Sequence, residues 1–168
     1  RSRSELSRLR GTRDPVVISG EPGTGRTTAV RDLAGDRSLV CMDATAIALD
    51  GAEAWTDRLL SLAAGPSAVL VIEEVQLLPE SMLPLVVKML AADAGPRIVM
   101  TSSPLGDLPP GVAGLVGRCP GQVVLPPLRQ RSREFADIAQ GGILDSVRPD
   151  LRLTASALDA LIARDWPG

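Results

Sequence analysis

The sequence of 168 residues has no histidine and no tyrosine, and it contains one phenylalanine, two tryptophans and two cysteines. The absence of histidine removes imidazole catalysis and most zinc chemistry from consideration. Aromatic residues make up only 2% of the chain, so stacking platforms for single-stranded nucleic acid are absent. Cys41 and Cys119 fit no metal-ligand spacing, and we expect reduced thiols, with Cys41 filling the core from an apolar strand.

Long apolar runs are also missing. No segment approaches the length of a membrane span, and residues 1–13 are charged and lack the apolar part of a signal peptide. The net charge of −2 gives no overall attraction to nucleic acid. Hydrophobic residues make up 45% of the chain, which is ample for the core of one domain. We therefore expect a cytoplasmic protein with no membrane partner.

A glycine-rich segment carries the most informative pattern. Residues 20–27 match the phosphate-binding loop G-x-x-x-x-G-K-[ST] at every position except the lysine, which is Arg26 here. An apolar run precedes the loop and a helical pattern follows it, which is the context that this motif requires. The glycines let successive backbone N–H groups approach phosphate oxygens, and the helix adds the positive end of its dipole. The sequence predicts a nucleotide-binding segment made of Gly20, Glu21, Pro22, Gly23, Thr24, Gly25, Arg26, Thr27 and Thr28.

Arg26 is the departure from the motif. Lysine would reach the terminal phosphates as a compact charge, whereas the guanidinium of arginine is longer, planar and forked. Lys88 is the only lysine among 18 basic residues. An ordinary turn between a strand and a helix is the alternative explanation, and the complete eight-residue spacing argues against it.

Strand and helix patterns alternate along the chain, which predicts a parallel sheet with helices on both faces. Residues 105–121 are rich in glycine and proline and have little pattern, and a change in composition near Pro126 suggests a boundary. The predicted strands are Val16–Ser19, Ser38–Met42, Ala68–Ile72, Arg97–Thr101 and Val123–Leu125. The predicted helices are Thr27–Ala34, Ala52–Ala64, Pro79–Ala92, Ser132–Gln140 and Thr154–Ala163, with Ser4–Arg10 as a short polar helix or tail and Thr154 as a cap.

Two carboxylates, Glu73 and Glu74, follow the third predicted strand. In P-loop enzymes an acidic residue at this place holds magnesium, and a glutamate beside it polarises water. Aspartate is usual at the first position, so Glu73 would place its carboxylate further from the backbone. The alternative is a solvated strand end, and the nearby phosphate-loop motif favours a magnesium site made of Thr27 and Glu73, with Glu74 as the catalytic residue.

Three segments together resemble the AAA+ domain of bacterial enhancer-binding proteins, the sigma-54-dependent transcription activators. Residues 20–27 resemble the Walker A loop of that family, and residues 71–79 resemble its Walker B segment. Residues 125–131, followed by residues 135–138, resemble its linker into the lid, and residues 153–168 resemble the lid helix with its Trp-Pro-Gly ending. The resemblance implies a three-layer P-loop NTPase core over residues 1–128, the beginning of a helical lid over residues 129–168, and ATP and Mg²⁺ as cofactors.

The resemblance also implies further site residues and partners. Ser103 matches the first sensor, and Arg118 is the only arginine in the stretch where the family has its arginine fingers. A second sensor arginine and a DNA-binding helix-turn-helix would lie beyond this chain, which begins without methionine. Homo-oligomeric rings are implied as well. Arg129 and Arg131 fall in the linker, where solvated charges at a hinge are the alternative explanation.

One departure from the family concerns its output. The residues between Asp43 and Ser67 are few and contain no phenylalanine, so the sigma-contact loop of the family is absent, which argues against a sigma-factor contact. Three hypotheses follow from these matches and departures. The chain is a regulatory module that binds ATP with weak or absent hydrolysis, an active ATPase that tolerates Arg26 and Glu73, or a nucleotide-free scaffold between sensory and DNA-binding domains.

Overall fold

The computed structural model describes residues 2–65, 68–131, 137–141 and 152–164. Five strands form one parallel sheet: β1 (Val16–Ser19), β2 (Leu39–Asp43), β3 (Val69–Glu73), β4 (Arg97–Ser102) and β5 (Gly121–Val124). They lie in the order β2-β3-β4-β1-β5. β1, β3 and β4 are almost wholly buried because both faces of a parallel sheet are covered, which explains their continuous apolar runs. The five predicted strands are confirmed, and no end is shifted by more than two residues.

Helices follow the strands as predicted, with two short additions, Ile47–Asp50 and Pro110–Val116. The helices are α1 (Ser2–Arg10), α2 (Arg26–Ala34), α3 (Ile47–Asp50), α4 (Ala52–Ala63), α5 (Leu83–Leu90) and α6 (Pro110–Val116), with Ala155–Ile162 helical as well. α6 lies in the glycine- and proline-rich stretch, where no helix was predicted. Pro110 is its first residue, a position that proline tolerates because the N–H it lacks would have no partner there.

Three other helix predictions have specific outcomes. The predicted helix Pro79–Ala92 begins as a 3₁₀ turn, Glu80–Met82, and continues as α5. The predicted cap is confirmed, since Thr154 Oγ1 accepts a hydrogen bond of 3.2 Å from the N–H of Ala157. Within the predicted helix Ser132–Gln140, residues 137–140 are helical and residues 132–136 lie outside the described part of the chain.

Two apolar clusters cover the two faces of the sheet. Val17, Leu70 and Met100 point to one face and pack with Trp55 and Leu59 of α4 and with side chains of α5 and α6. The alternate residues point to the other face and pack against α1 and α2. This alternation is the period of two expected for strands, so the predicted arrangement of helices on both faces is confirmed.

The prediction for Cys41 is wrong. Cys41 was expected to fill the core, but its side chain is exposed on β2, whereas Cys119 is buried. β2 is the edge strand of the sheet, and only Met42 of its five residues is fully buried. An apolar run does not reveal whether its strand lies at the edge or at the centre.

Arg97, the first residue of β4, is buried although it carries a charge, with 3% of its surface exposed. Its Nε donates to the carbonyl oxygen of Asp14 at 3.0 Å, and its Nη2 donates to the carbonyl oxygen of Leu9 at 2.8 Å and to Thr12 Oγ1 at 3.2 Å. Within the described residues its Nη1 has no hydrogen-bond partner. Burial lowers the pKa of this guanidinium. Arg97 therefore ties the end of α1 and the segment after it to the sheet.

The chain divides into two compact units. One comprises Arg1–Gly20 with Gly25–Leu125, and the other comprises Glu21–Thr24 with Pro126–Gly168. The division of the chain into residues 1–128 and 129–168 stays a prediction. Among the described residues, no helix is long and apolar enough to cross a membrane.

Candidate functional site

Three of the predicted site segments follow neighbouring strands of the parallel sheet. The glycine-rich loop follows β1, Glu74 follows β3, and Ser103 follows β4. Since these strands run parallel and are paired as β3-β4-β1, their carboxyl ends lie at one edge of the sheet. Ligands of open α/β sheets bind at this edge.

The loop between β1 and α2 has the backbone that its glycines predict. Gly23 has a φ of 87° and Gly25 a φ of 90°, in the left-handed region that favours glycine. Thr24 closes a turn, with its N–H at 3.3 Å and its Oγ1 at 2.8 Å from the carbonyl oxygen of Glu21. The buried Gly20 donates its N–H to the carbonyl oxygen of Ser102 at 3.2 Å, which fixes the start of the loop to the end of β4.

The helix after the loop starts at Arg26. The carbonyl oxygen of Gly25 accepts the N–H of Ala29 at 2.9 Å, which is the first bond of α2. The N–H groups of the three residues between them, Arg26, Thr27 and Thr28, therefore lack acceptors within the helix and are suited to an anion. The side chains of Thr27 and Thr28 are exposed, and Pro22 and Gly23 are exposed as well.

Arg26 and Glu74 form a two-pronged ion pair. Nη2 of Arg26 lies 2.5 Å from Oε1 of Glu74, and Nη1 lies 3.2 Å from Oε2. The two side chains are 12% and 27% exposed, so water screens this pair only in part. A planar guanidinium can contact both carboxylate oxygens at once, which the single ammonium of lysine cannot do in this geometry. Arg26 and Glu74, both predicted site residues, therefore bind each other.

Gln76 is a third member of this cluster, and the sequence reasoning missed it. Its Nε2 donates to Oε2 of Glu74 at 2.5 Å, and its Oε1 accepts the backbone N–H of Ser103 at 3.1 Å. The available signal was a lone polar residue in the apolar stretch after Glu74, Val75-Gln76-Leu77-Leu78. Gln76 connects Glu74 to the predicted sensor position.

The backbone of Glu74 is unusual. Its φ is 56°, and no other described residue apart from glycine has a positive φ. Its N–H donates to Oγ1 of the buried Thr101 at 3.2 Å. The left-handed conformation at the end of β3 turns the chain into the 3₁₀ turn Val75–Leu77. A non-glycine residue held this way is a known feature of functional sites.

Glu73 and Arg118 take no part in the hydrogen bonds that join Arg26, Glu74 and Gln76, and Arg129 belongs to the other unit. Glu73 is half-buried at the end of β3, in register with Asp43 of β2. Arg118 is exposed between α6 and β5, at the amino end of β5, so it does not join Arg26 and Glu74 within one chain. In the second unit, Arg129 holds the carboxylate of Glu21 with Nη1 at 2.7 Å and Nη2 at 2.5 Å, which lowers the pKa of Glu21. Arg129 thus has a specific partner in the loop.

No protein-family model and no curated protein match the sequence. Among solved structures, NtrX from Brucella abortus in complex with ATP is similar over 99% of this chain and 46% of that one, with 17% identity and a TM-score of 0.64. The P-loop NTPase domain of a sigma-54 transport activator from E. coli is similar over 75% of this chain and 92% of that one, with 19% identity and a TM-score of 0.55.

DnaA from Aquifex aeolicus with bound AMPPCP is similar over 98% of this chain and 54% of that one, with 14% identity and a TM-score of 0.63. The chain therefore spans about half the length of NtrX and of DnaA. At identities this low the likeness concerns the fold. Together with the strand order and the glycine-rich loop before α2, it shows that the chain has the α/β core of a P-loop NTPase.

Proposed function

We propose that this chain is the ATP-binding AAA+ module of a bacterial transcription regulator, with weak or absent hydrolysis. The observation that carries the proposal is the ion pair between Arg26 and Glu74 at the head of the phosphate-loop helix. The pair joins Arg26, which is expected to contact the terminal phosphates, to Glu74, which is expected to orient water. The similarity in fold to NtrX in complex with ATP supports the choice of ATP.

The residues at the head of α2 suit a bound nucleotide. Gly23 and Gly25 offer backbone N–H groups, and the N–H of Thr24 would join them by leaving its turn with Glu21. The space beside Gly25 is open, since a Cβ there would meet nothing within 4 Å. Arg26, Thr27 and Thr28 offer the free N–H groups of the first helical turn. Thr27 and Glu73 would hold Mg²⁺, which takes few protein ligands beside phosphate oxygens and water. ATP would supply the transferable phosphoryl group.

The ion pair explains why hydrolysis should be slow. A carboxylate that activates water needs a free oxygen within hydrogen-bond reach of it. Both oxygens of Glu74 are engaged, Oε1 by Arg26 and Oε2 by Arg26 and Gln76. These three hydrogen bonds occupy most of the acceptor sites of the carboxylate, so Glu74 becomes more available to water once ATP has drawn Arg26 away. If no partner subunit supplies an arginine finger, a further factor of about 10³–10⁵ in rate is lost, which is roughly 4–7 kcal/mol of barrier.

The regulatory part of the proposal comes from the resemblance to the enhancer-binding family. In that setting DNA would be bound by a helix-turn-helix outside this chain, and copies of the chain would form a homo-oligomer in the cytoplasm. Arg118 would then act on the nucleotide of a neighbouring copy. A sigma-factor contact is not part of the proposal, because the contact loop is missing from the sequence.

Titration of a fluorescent ATP analogue with Mg²⁺ tests this function, with the wild-type chain beside Arg26→Lys. We expect micromolar binding by the wild type and turnover near background. Rapid turnover that Glu74→Gln abolishes would instead establish an active ATPase. Binding only after Arg26→Lys would mean that arginine has switched the site off. An absence of binding by both chains would refute the proposal and favour the scaffold.

A further inference from the structure

Gln76 uses both ends of its side-chain amide, and each end contacts a different element. The Nε2 group donates to the carboxylate of Glu74 after β3, and Oε1 accepts the backbone N–H of Ser103 after β4. Val75 is fully buried and Leu78 is 5% exposed, and the N–H of Leu78 bonds the carbonyl oxygen of Val75 at 3.1 Å. The backbone that carries Gln76 is therefore held in place on both sides.

The two partners also fix which way the amide points. A backbone N–H can only donate, so Ser103 requires the oxygen of the amide. An ionised carboxylate can only accept, so Glu74 requires the NH₂ group. A flipped amide would lose both hydrogen bonds, and no other orientation satisfies both partners. Gln76 is thus a defined link of two hydrogen bonds between the end of β4 and the Glu74 carboxylate.

We infer that Gln76 is a positioning residue that couples Ser103 to Glu74. The inference rests on the proposed function for the role of Glu74. When phosphate draws Arg26 away, the neutral donor of Gln76 still holds Oε2 of Glu74 and keeps the carboxylate oriented. A ligand that displaces the backbone at Ser103 moves the same amide, so Glu74 responds to what occupies the end of β4.

The coupling can be measured without any nucleotide. The amide proton of Ser103 is observed by NMR in the wild type, in Gln76→Leu and in Gln76→Glu. Each of these three chains is also measured with the additional substitution Glu74→Gln. Leucine removes both hydrogen bonds. Glutamate keeps an acceptor for Ser103, loses the donor to Glu74 and places a second carboxylate beside it, which repels Glu74. Gln130→Glu makes the same change at an exposed glutamine and serves as the control.

Gln76→Leu should speed hydrogen exchange at the Ser103 amide by about five- to tenfold, the value of one hydrogen bond, and Gln76→Glu should leave it protected. In the wild type, Glu74→Gln should shift the Ser103 amide resonance. Gln76→Leu should not transmit that shift, whereas Gln76→Glu should respond again, because the glutamine that replaces Glu74 can donate to the new carboxylate. If Gln76 had only a structural role, the shift of the Ser103 resonance caused by Glu74→Gln would not depend on Gln76.

Two results would overturn the inference. One is a Ser103 shift that responds to Glu74→Gln equally with and without Gln76, which would assign the coupling to the contact between Glu74 and Thr101. The other is no response in the wild type. A separate ATP titration of the same samples tests the proposed function, so a chain that shows the coupling but binds no nucleotide refutes only the latter.

Discussion

Replacement of Glu74 by glutamine should strengthen the binding of ATP. In the nucleotide-free chain the guanidinium of Arg26 is held by the Glu74 carboxylate, at 2.5 and 3.2 Å. Phosphate oxygens would compete for the same donors. Because any ligand of Arg26 must first break the ion pair, the free energy of that pair is subtracted from the free energy of binding. Glutamine is nearly isosteric and removes the charge, so the opposing term becomes smaller.

The exposure of the pair sets the size of the effect. Fully exposed ion pairs contribute about 0–1 kcal/mol, and hydrogen bonds to charged groups contribute about 1.5–3 kcal/mol when well shielded. With side chains 12% and 27% exposed, the pair between Arg26 and Glu74 falls between these limits, at about 1–2 kcal/mol. Its loss should tighten binding by roughly 5- to 30-fold.

Equilibrium titration with a non-hydrolysable ATP analogue measures this gain without interference from turnover. EDTA keeps magnesium out, so that a change in metal binding cannot contribute. Glu73→Gln is the matched control, since it removes the same charge one residue earlier in the chain. Equal gains for Glu74→Gln and Glu73→Gln would show a general charge effect and would refute competition for Arg26.

Gly25→Ala should lower the free energy of unfolding by about 1 kcal/mol, because a φ of 90° strains any residue with a Cβ even though the space there is open. Chemical denaturation measures this, and an unchanged midpoint would contradict it. A thiol reagent should modify the exposed Cys41 and spare the buried Cys119 in the folded chain. Since partial burial of the thiol, and then the charge of Glu73, raise the pKa of Cys41, its rate should keep rising above the pH at which a free cysteine levels off, with Cys41→Ser identifying the site by mass spectrometry. Burial raises the pKa of Cys119 from 9.0 to about 11, so the folded chain keeps a proton that the unfolded chain loses. The free energy of unfolding should therefore fall as the pH rises from about 9 toward about 11, and an equally steep fall in Cys119→Ala would be the contrary result. Arg97→Met should lower the free energy of unfolding by about 1–3 kcal/mol, because the buried carbonyl oxygen of Leu9 and two part-buried acceptors lose their donor, whereas the control Arg13→Met at an exposed position should have little effect.

The strands were predictable because burial on both faces of a parallel sheet demands apolar runs, and the sequence shows such runs at each strand. The position of each strand within the sheet was not predictable, because it depends on which strands pair with one another. Cys41 on the edge strand β2 was therefore assigned to the wrong environment. α6 was missed because glycine and proline have low helix propensity, and the packing of Val112, Leu115 and Val116 on the core outweighs it.

The residues at the head of α2 and the end of β3 were predictable from motif spacing, but their contacts were not. Arg26 and Glu74 are 48 positions apart. Their meeting depends on the pairing of strands and on side-chain conformations that no local pattern encodes. Gln76 was not predicted as a site residue for a related reason, because a single polar residue in an apolar stretch is usually exposed to solvent. Its role becomes visible only when Ser103 is placed beside it.

The buried guanidinium of Arg97 has a consequence for how the chain unfolds. A short helix that packs on the outside of a sheet can open on its own when few contacts hold it. Here detachment of α1 would take the carbonyl oxygen of Leu9 away from Arg97 and leave a charge among apolar side chains without enough acceptors. α1 should therefore open together with the central strands as one cooperative unit, and its amide protons should exchange at the rate of global unfolding.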